Sequence, residues 1–259
     1  MARYQVILAY DGTQYHGFQR QANKATVQVA VETGLRHLGW QGRSILAAGR
    51  TDAGVHAFGQ VIAFDLEWNS SPAELQAALN AHLPIDVVAR SARIVADGFH
   101  PRYDATGRRY RYQLFCQSER DPLRERYAWR VWPLVDFEVL KSVSRSILGQ
   151  HDFAAFGTAP RASSTTVRVV TRAEWHLEGS YTGIESLVFE IVGDAFLYRM
   201  VRRLVYIQVA CAQGKMDVSL IPGLLDQPPP HPVQGLAPPQ GLILLRVYFP
   251  EDAPGKPTI

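Results

Sequence analysis

The stretch AAGRTDAGVHAFGQVIAF, residues 47–64, sets one acid, Asp52, and one arginine, Arg50, among three glycines and between two apolar segments. Gly59 to Phe64 reads as an extended apolar run, so the charged pair is expected on a turn anchored by a strand. An isolated carboxylate on such a turn is poor material for a core and good material for a site. Local chemistry leaves a second reading open, in which Asp and Gly serve turn geometry and Arg50 is simply solvated. If the two side chains pair, Arg50 favours the ionised form of Asp52, which suits a nucleophile or a base better than an acid.

Working outward, Tyr4 to Tyr10 reads as a strand ending in DGTQYHGFQRQ (11–21), a polar, glycine-bearing loop of the kind that often carries function. Thr26 can cap a helix through about Leu38, with Val27, Ala30, Val31, Gly34, Leu35 and Leu38 on one face and Gly39 as its stop. A short strand is expected over 43–48 and another over 61–66. Ser71, Pro72 and Glu74 form a capping-box signature for a helix to about Leu83, ended by Pro84. Val87 to Val95 supplies a further strand.

The second half repeats the order strand, helix, strand, strand, helix, strand. A strand is expected over Thr106–Cys116, and a helix follows Asp136 with Phe137, Leu140, Val143, Ile147 and Leu148 on its buried side. Strands over 165–177 and 186–191 are joined by GSYTG (179–183). A helix over 197–212 carries arginines, and a last strand runs over 242–249. Two copies of a split βαβ unit predict an α+β protein with two ferredoxin-like halves, antiparallel sheets and a central cleft. The expected division is 1–104, 105–250 and a tail over 251–259.

At 259 residues, 47% hydrophobic and 20% charged, the composition is that of a soluble globular protein large enough for two modest domains. No apolar run approaches the ~20 residues of a membrane span, and Met1 leads directly into the first strand rather than a signal peptide. Cys116 and Cys211 are too few and too far apart for a disulfide framework, which fits a reducing cytoplasm. The net charge of +3 says little about a partner, but its carriers say more. Only Lys24, Lys141, Lys215 and Lys256 are lysines. The other cations are arginines, clustered at 102–111 and 199–203, and the guanidinium fork suits phosphate contacts and stacking on bases.

No phosphate loop, dinucleotide fingerprint, HExxH, GxSxG or CxxC occurs, and no carboxylate cluster surrounds Asp52, so metal-assisted hydrolysis and a magnesium-dependent Asp phosphohydrolase lack their residues. The RNP1 pattern of a non-catalytic RNA-recognition module is also missing. In FHPRYDATGRRYRYQLF (99–115), strand alternation puts Tyr110 and Tyr112 on one face and Arg109 and Arg111 on the other. Either tyrosine could stack on a base or belong to the core. Arg202, beside an apolar helix face, raises the question of which anion it meets.

Together these motifs resemble the TruA family of tRNA pseudouridine synthases over nearly the full chain. The carriers are YDGTQYHGFQRQ (10–21), TVQ (26–28), AGRTDAGVHAFGQV (48–61), NAHLP (80–84), FHPRYDATGRRYRY (99–112), HDFAAF (151–156), FLYRMVR (196–202) and APPQGLILLRVYF (237–249). The resemblance implies isomerisation of uridine to pseudouridine at positions 38, 39 and 40 of the tRNA anticodon stem-loop, without metal or cofactor, by a homodimer. It also implies that Asp52 is the catalytic aspartate, Arg50 its ion-pair partner at the substrate, Tyr110 the residue stacked on the target uracil, and Arg202 a second contact to the acid or a phosphate. This chain departs from the family pattern at Phe18, where tryptophan is usual, at Ile243, where an aromatic is common, and at Tyr206, where many relatives place glycine.

Overall fold

Tyr4, Val6, Leu8 and Tyr10 alternate along the first strand and all are buried, which is the pattern of a strand with one face on a core. The computed structural model describes residues 1–159, 163–179, 183–229 and 231–252. In chain order its elements are β1 (Ala2–Tyr10), α1 (Val27–His37), β2 (Leu46–Ala47), β3 (His56–Leu66), α2 (Pro72–His82) and β4 (Val87–Val95). Then come β5 (Gly107–Cys116), β6 (Trp129–Val131), α3 (Phe137–Arg145), β7 (Gly149–Asp152), β8 (Val167–Glu178), β9 (Ser186–Gly193), α4 (Met200–Ala212), α5 (Leu220–Asp226) and β10 (Leu242–Tyr248). The class is α+β, as expected. No helix among the described residues is long and apolar enough to cross a membrane.

Contacts divide the chain into two units, one of residues 1–106 with the segment from Ile243, the other of Gly107–Leu242. In the first, β3 is central. It pairs antiparallel with β1 from Ala2↔Leu66 to Tyr10↔Ala57, takes the short β2 at Leu46↔Ala63, and runs parallel to β10 at Ile243↔His56 and Leu244↔Ala57. On the other side of β1 lies β4, antiparallel. Val27, Val31 and Leu35 recur at four-residue spacing in α1 and are fully buried, each worth about 1.5–3 kcal/mol of transfer free energy. Beside α1 packs α2, whose capping box is formed as expected: Ser71 Oγ accepts from Glu74 N at 3.2 Å and Glu74 Oε2 accepts from Ser71 N at 2.9 Å.

In the second unit β9 sits between β5 and β8, all antiparallel, with β7 on β8 and β6 parallel to β5. Asp136 caps α3 by accepting from Glu138 N and Val139 N. The helix α4 is buried nearly all round, and its Gln208 accepts from Trp175 Nε1 of β8 at 2.8 Å, so even its polar position is satisfied inside.

Several expectations need correction. Residues 243–250 were expected with the second half, but the parallel pairing of β10 on β3 and the bond from Thr106 N to the Tyr248 carbonyl tie that strand to the first unit. The strand β3 begins at His56 rather than Val61, because β1 and β10 supply ladder partners to its first residues. Thr26 occupies the N-cap of α1, yet its hydroxyl makes no cap bond. The arginine helix starts at Met200, since Tyr198 is bridged to Thr158 and Arg199 adopts φ +65. Leu148 is exposed. The strands β6 and β7 and the helix α5 carry too little periodicity to be read from sequence. In GSYTG, residues 180–182 lie outside the described residues, as does the tail from 253.

Leu35→Ala should cost about 2–5 kcal/mol in urea denaturation, because its site in α1 is fully enclosed. A shift below 1 kcal/mol would contradict that packing.

Candidate active site

The loop between β2 and β3 is held from below by its own strand, where Gln60 Nε2 donates to the Gly49 carbonyl at 3.1 Å. Its tip is closed by Val55 N donating to the Asp52 carbonyl at 3.1 Å, which turns the chain sharply at the acid. Asp52 is half-buried there and Arg50 is exposed. The two expected site residues therefore share one loop.

The second wall of this loop is the stretch after β1. Phe18 N donates to the Thr51 carbonyl (3.1 Å), Gly54 N donates to the Tyr15 carbonyl (3.2 Å), and the Tyr10 hydroxyl meets Thr51 Oγ1 at 2.8 Å in the interior. Two glycines make this approach possible. A Cβ on Gly12 would overlap the Val55 carbonyl, and one on Gly17, at φ +94, would lie 2.7 Å from the Thr51 oxygen. His56, buried just past the loop, accepts the Gly12 N–H at Nδ1 (3.0 Å), while the same nitrogen lies 3.1 Å from Asp11 Oδ1. One ring nitrogen cannot accept from Gly12 and donate to Asp11 at once, so the ring serves one partner or the other. Both lie on the same loop, and either contact ties it to β3.

Sequence reading singled out the loop at 11–21 but not what supports it. Tyr15 OH donates to Asp86 Oδ1 at 2.6 Å, and burial followed by that bond pushes its hydroxyl well above the usual tyrosine range, so it stays a donor. Behind the loop, the buried Glu32 carboxylate pairs with Arg20, accepts from Gln28 Nε2 (2.9 Å) and accepts from Ile45 N (3.1 Å). A carboxylate that deep is tolerable only with such partners. The available signal was Gln28 and Glu32, four residues apart, interrupting the apolar side of α1.

Tyr110 and Arg202 belong to the second unit. Tyr110 stands on β5 opposite Ile191, half-buried, with its ring perpendicular to Phe196 at 5.1 Å between centroids. Tyr112, on the same side of the strand, is core: fully buried, its hydroxyl donates to the Pro238 carbonyl at 2.8 Å, and burial raises it well above the usual range. The opposite side of β5 carries arginines as expected, but carboxylates answer them. Arg109 donates to both oxygens of Glu190 (2.6 and 2.8 Å) and Arg111 to both of Glu178 (2.5 and 2.8 Å). Those two guanidiniums are committed within the protein. Arg202 is buried on α4, with Nε donating to the Ala237 carbonyl at 2.8 Å.

A profile of the family described as tRNA pseudouridine synthase matches residues 6–104 and 143–250. The chain belongs to the tRNA pseudouridine synthase family. Proteins named "tRNA pseudouridine synthase A" are similar to it along their length. That of Geobacillus kaustophilus is 39% identical over 253 residues, covering 96% of this chain and 95% of the relative. The Geobacter sulfurreducens protein is 38% identical over 249 residues (96% and 100%), and that of Lactiplantibacillus plantarum 35% over 254 (96% and 95%). The synthases of this family are isomerases that convert uridine to pseudouridine in tRNA. Arg50, Asp52 and Arg202 fall inside the segments matched by the synthase profile, and Tyr110 falls between them.

If the close approach of the two loops sets the acid, Gly17→Ala should lower turnover about 10- to 100-fold, the scale of an ångström's misplacement. Gly98→Ala, where an added methyl meets open space, should leave turnover unchanged. Equal activity of both variants in a tritium-release assay on tRNA would show that the clamp does not position Asp52.

Proposed function

We propose that this synthase acts on uridines 38, 39 and 40 of the anticodon stem-loop, with Asp52 as the essential residue and no cofactor, as a homodimer in the cytoplasm. The observation that carries the reading is Asp52 itself: a half-buried carboxylate at the tip of a loop clamped from two sides by backbone hydrogen bonds. Such a group is held in place without being enclosed.

The reaction needs little else by stoichiometry. The N1–C1′ bond breaks, the uracil turns and rejoins through C5, C5 loses a proton, and N1 ends with one. A base in or beside a stem must first leave the stack, at a cost of a few kcal/mol. Stacking on Tyr110, worth about 1–3 kcal/mol, offsets part of that cost. The Tyr110 ring is half-buried beside Phe196 rather than sealed in the core, unlike Tyr112, and this supports giving it the stacking role. Arg50, exposed beside the acid, is assigned to the RNA, and Arg202 to the acid or a phosphate. Attack on C1′, addition to the base and removal of a sugar proton all begin from an ionised Asp52.

Carbodiimide primer extension on tRNA incubated with the protein should place new pseudouridines at 38–40, and Asp52→Asn should bind tRNA while forming none. Modification confined to other sites would overturn the positional assignment, and substantial single-turnover product from Asp52→Asn would remove the aspartate from its role. For Tyr110, the Phe variant should keep tRNA affinity while Ala weakens it about 5- to 100-fold, the equivalent of one lost stack. Equal losses in filter binding would argue against stacking.

A further inference from the structure

Arg202 does not choose its own orientation. Its backbone carbonyl accepts from Ala237 N (3.1 Å) and its Nε donates to the Ala237 carbonyl (2.8 Å), so two bonds join it to a single residue of the segment 232–238. That segment is a strap across α4. Near one end, Val233 N donates to the Ala155 carbonyl (2.9 Å) and the Val233 carbonyl accepts from Arg203 Nε (2.7 Å), while Arg203 Nη1 donates to the Phe156 carbonyl (2.7 Å). At the other end the Pro238 carbonyl accepts from Tyr112 OH.

Between these anchors the strap bends at Gly235, φ +100, where a Cβ would overlap the Tyr206 ring. The backbone of the bend lies directly on that ring. Tyr206 is one helical turn beyond Arg202, on the same side of α4. Its ring is fixed in turn by near-parallel packing on Trp129, with centroids 6.5 Å apart and planes 10° apart.

We propose that Tyr206 is a positioning residue for Arg202: its ring sets the height of the strap at Gly235, and the strap, through Ala237, sets the direction of the guanidinium. This rests on the role assigned above to Arg202. Tyr206 touches no reacting atom in this scheme. Its hydroxyl is dispensable, because the ring face and edge carry the contact.

The test is a double-mutant cycle read as single-turnover pseudouridine formation, with a melting temperature recorded for every variant. Tyr206→Ala should slow the reaction about 10-fold, the effect of a small misplacement of a contact group, and Tyr206→Phe should restore the wild-type rate. In an Arg202→Ala background Tyr206→Ala should cost less than about twofold more, since its effect travels through a group already removed. Equal losses in both backgrounds, or a Phe variant as slow as Ala, would overturn the positioning role while leaving Arg202 in place. Full activity of Arg202→Ala would instead remove Arg202 from the reaction, and the proposal with it. Should Tyr206→Ala fail to fold, Arg203→Lys, which loses the fork that grips the strap at Val233, takes its place in the cycle with the same expected coupling. Should Arg202→Ala fail to fold, Arg202→Lys serves as the background.

Discussion

Backbone meets backbone at van der Waals distance where residues 12–18 lie against residues 51–55, and the position of Asp52 depends on that contact. The loop that bears this carboxylate buries apolar side chains only at its ends, Ala48 and Val55, and none beside the acid. Its place is secured by peptide groups, Phe18 N on the Thr51 oxygen and Gly54 N on the Tyr15 oxygen, which are rigid and lack rotamers to lose. The cost is that Gly12 and Gly17 admit no side chain. Placement built this way tolerates variation at the exposed surface of the loop and none along the seam.

Charge in this protein is used in two different ways. On the outer side of the β5–β9–β8 sheet, Arg109, Arg111 and Arg172 meet Glu190, Glu178 and Glu174, forming pairs whose members neutralise one another and which serve the sheet. On α4, Arg203 spends its donors on the Val233 and Phe156 carbonyls, which orients a guanidinium without cancelling its charge. An arginine held by carbonyls keeps its field for an anion. An arginine held by a carboxylate does not. Counting arginines in a sequence therefore overstates the cationic surface open to RNA.

The polar interior behind the first loop follows the same economy. Glu32 is buried with Arg20, Gln28 and the Ile45 amide around it, linking α1, the loop after β1 and the approach to β2. Removing one member would leave a buried charge without its partners, a larger loss than any single bond represents. The network therefore stiffens the base on which the acid's loop stands.

By itself the sequence determined the order of elements in the first half, the capping box at Ser71, the burial stripe of α1, the α+β class and the acid to examine. Each of these is written in local periodicity or in a short motif, because the physics that sets it acts within one or two turns of chain. It also set Arg109 and Arg111 opposite Tyr110, which follows from strand alternation alone. Tertiary structure decided what periodicity does not encode: that β10 pairs with β3, that Tyr112 is core while Tyr110 stays half-exposed, and that Arg109 and Arg111 are already paired. It also decided that Gly12, Gly17 and Gly235 are places of contact. Such facts depend on partners from about 30 to nearly 190 residues away in the chain, and a close approach between distant segments leaves no mark on either one except the absence of a side chain.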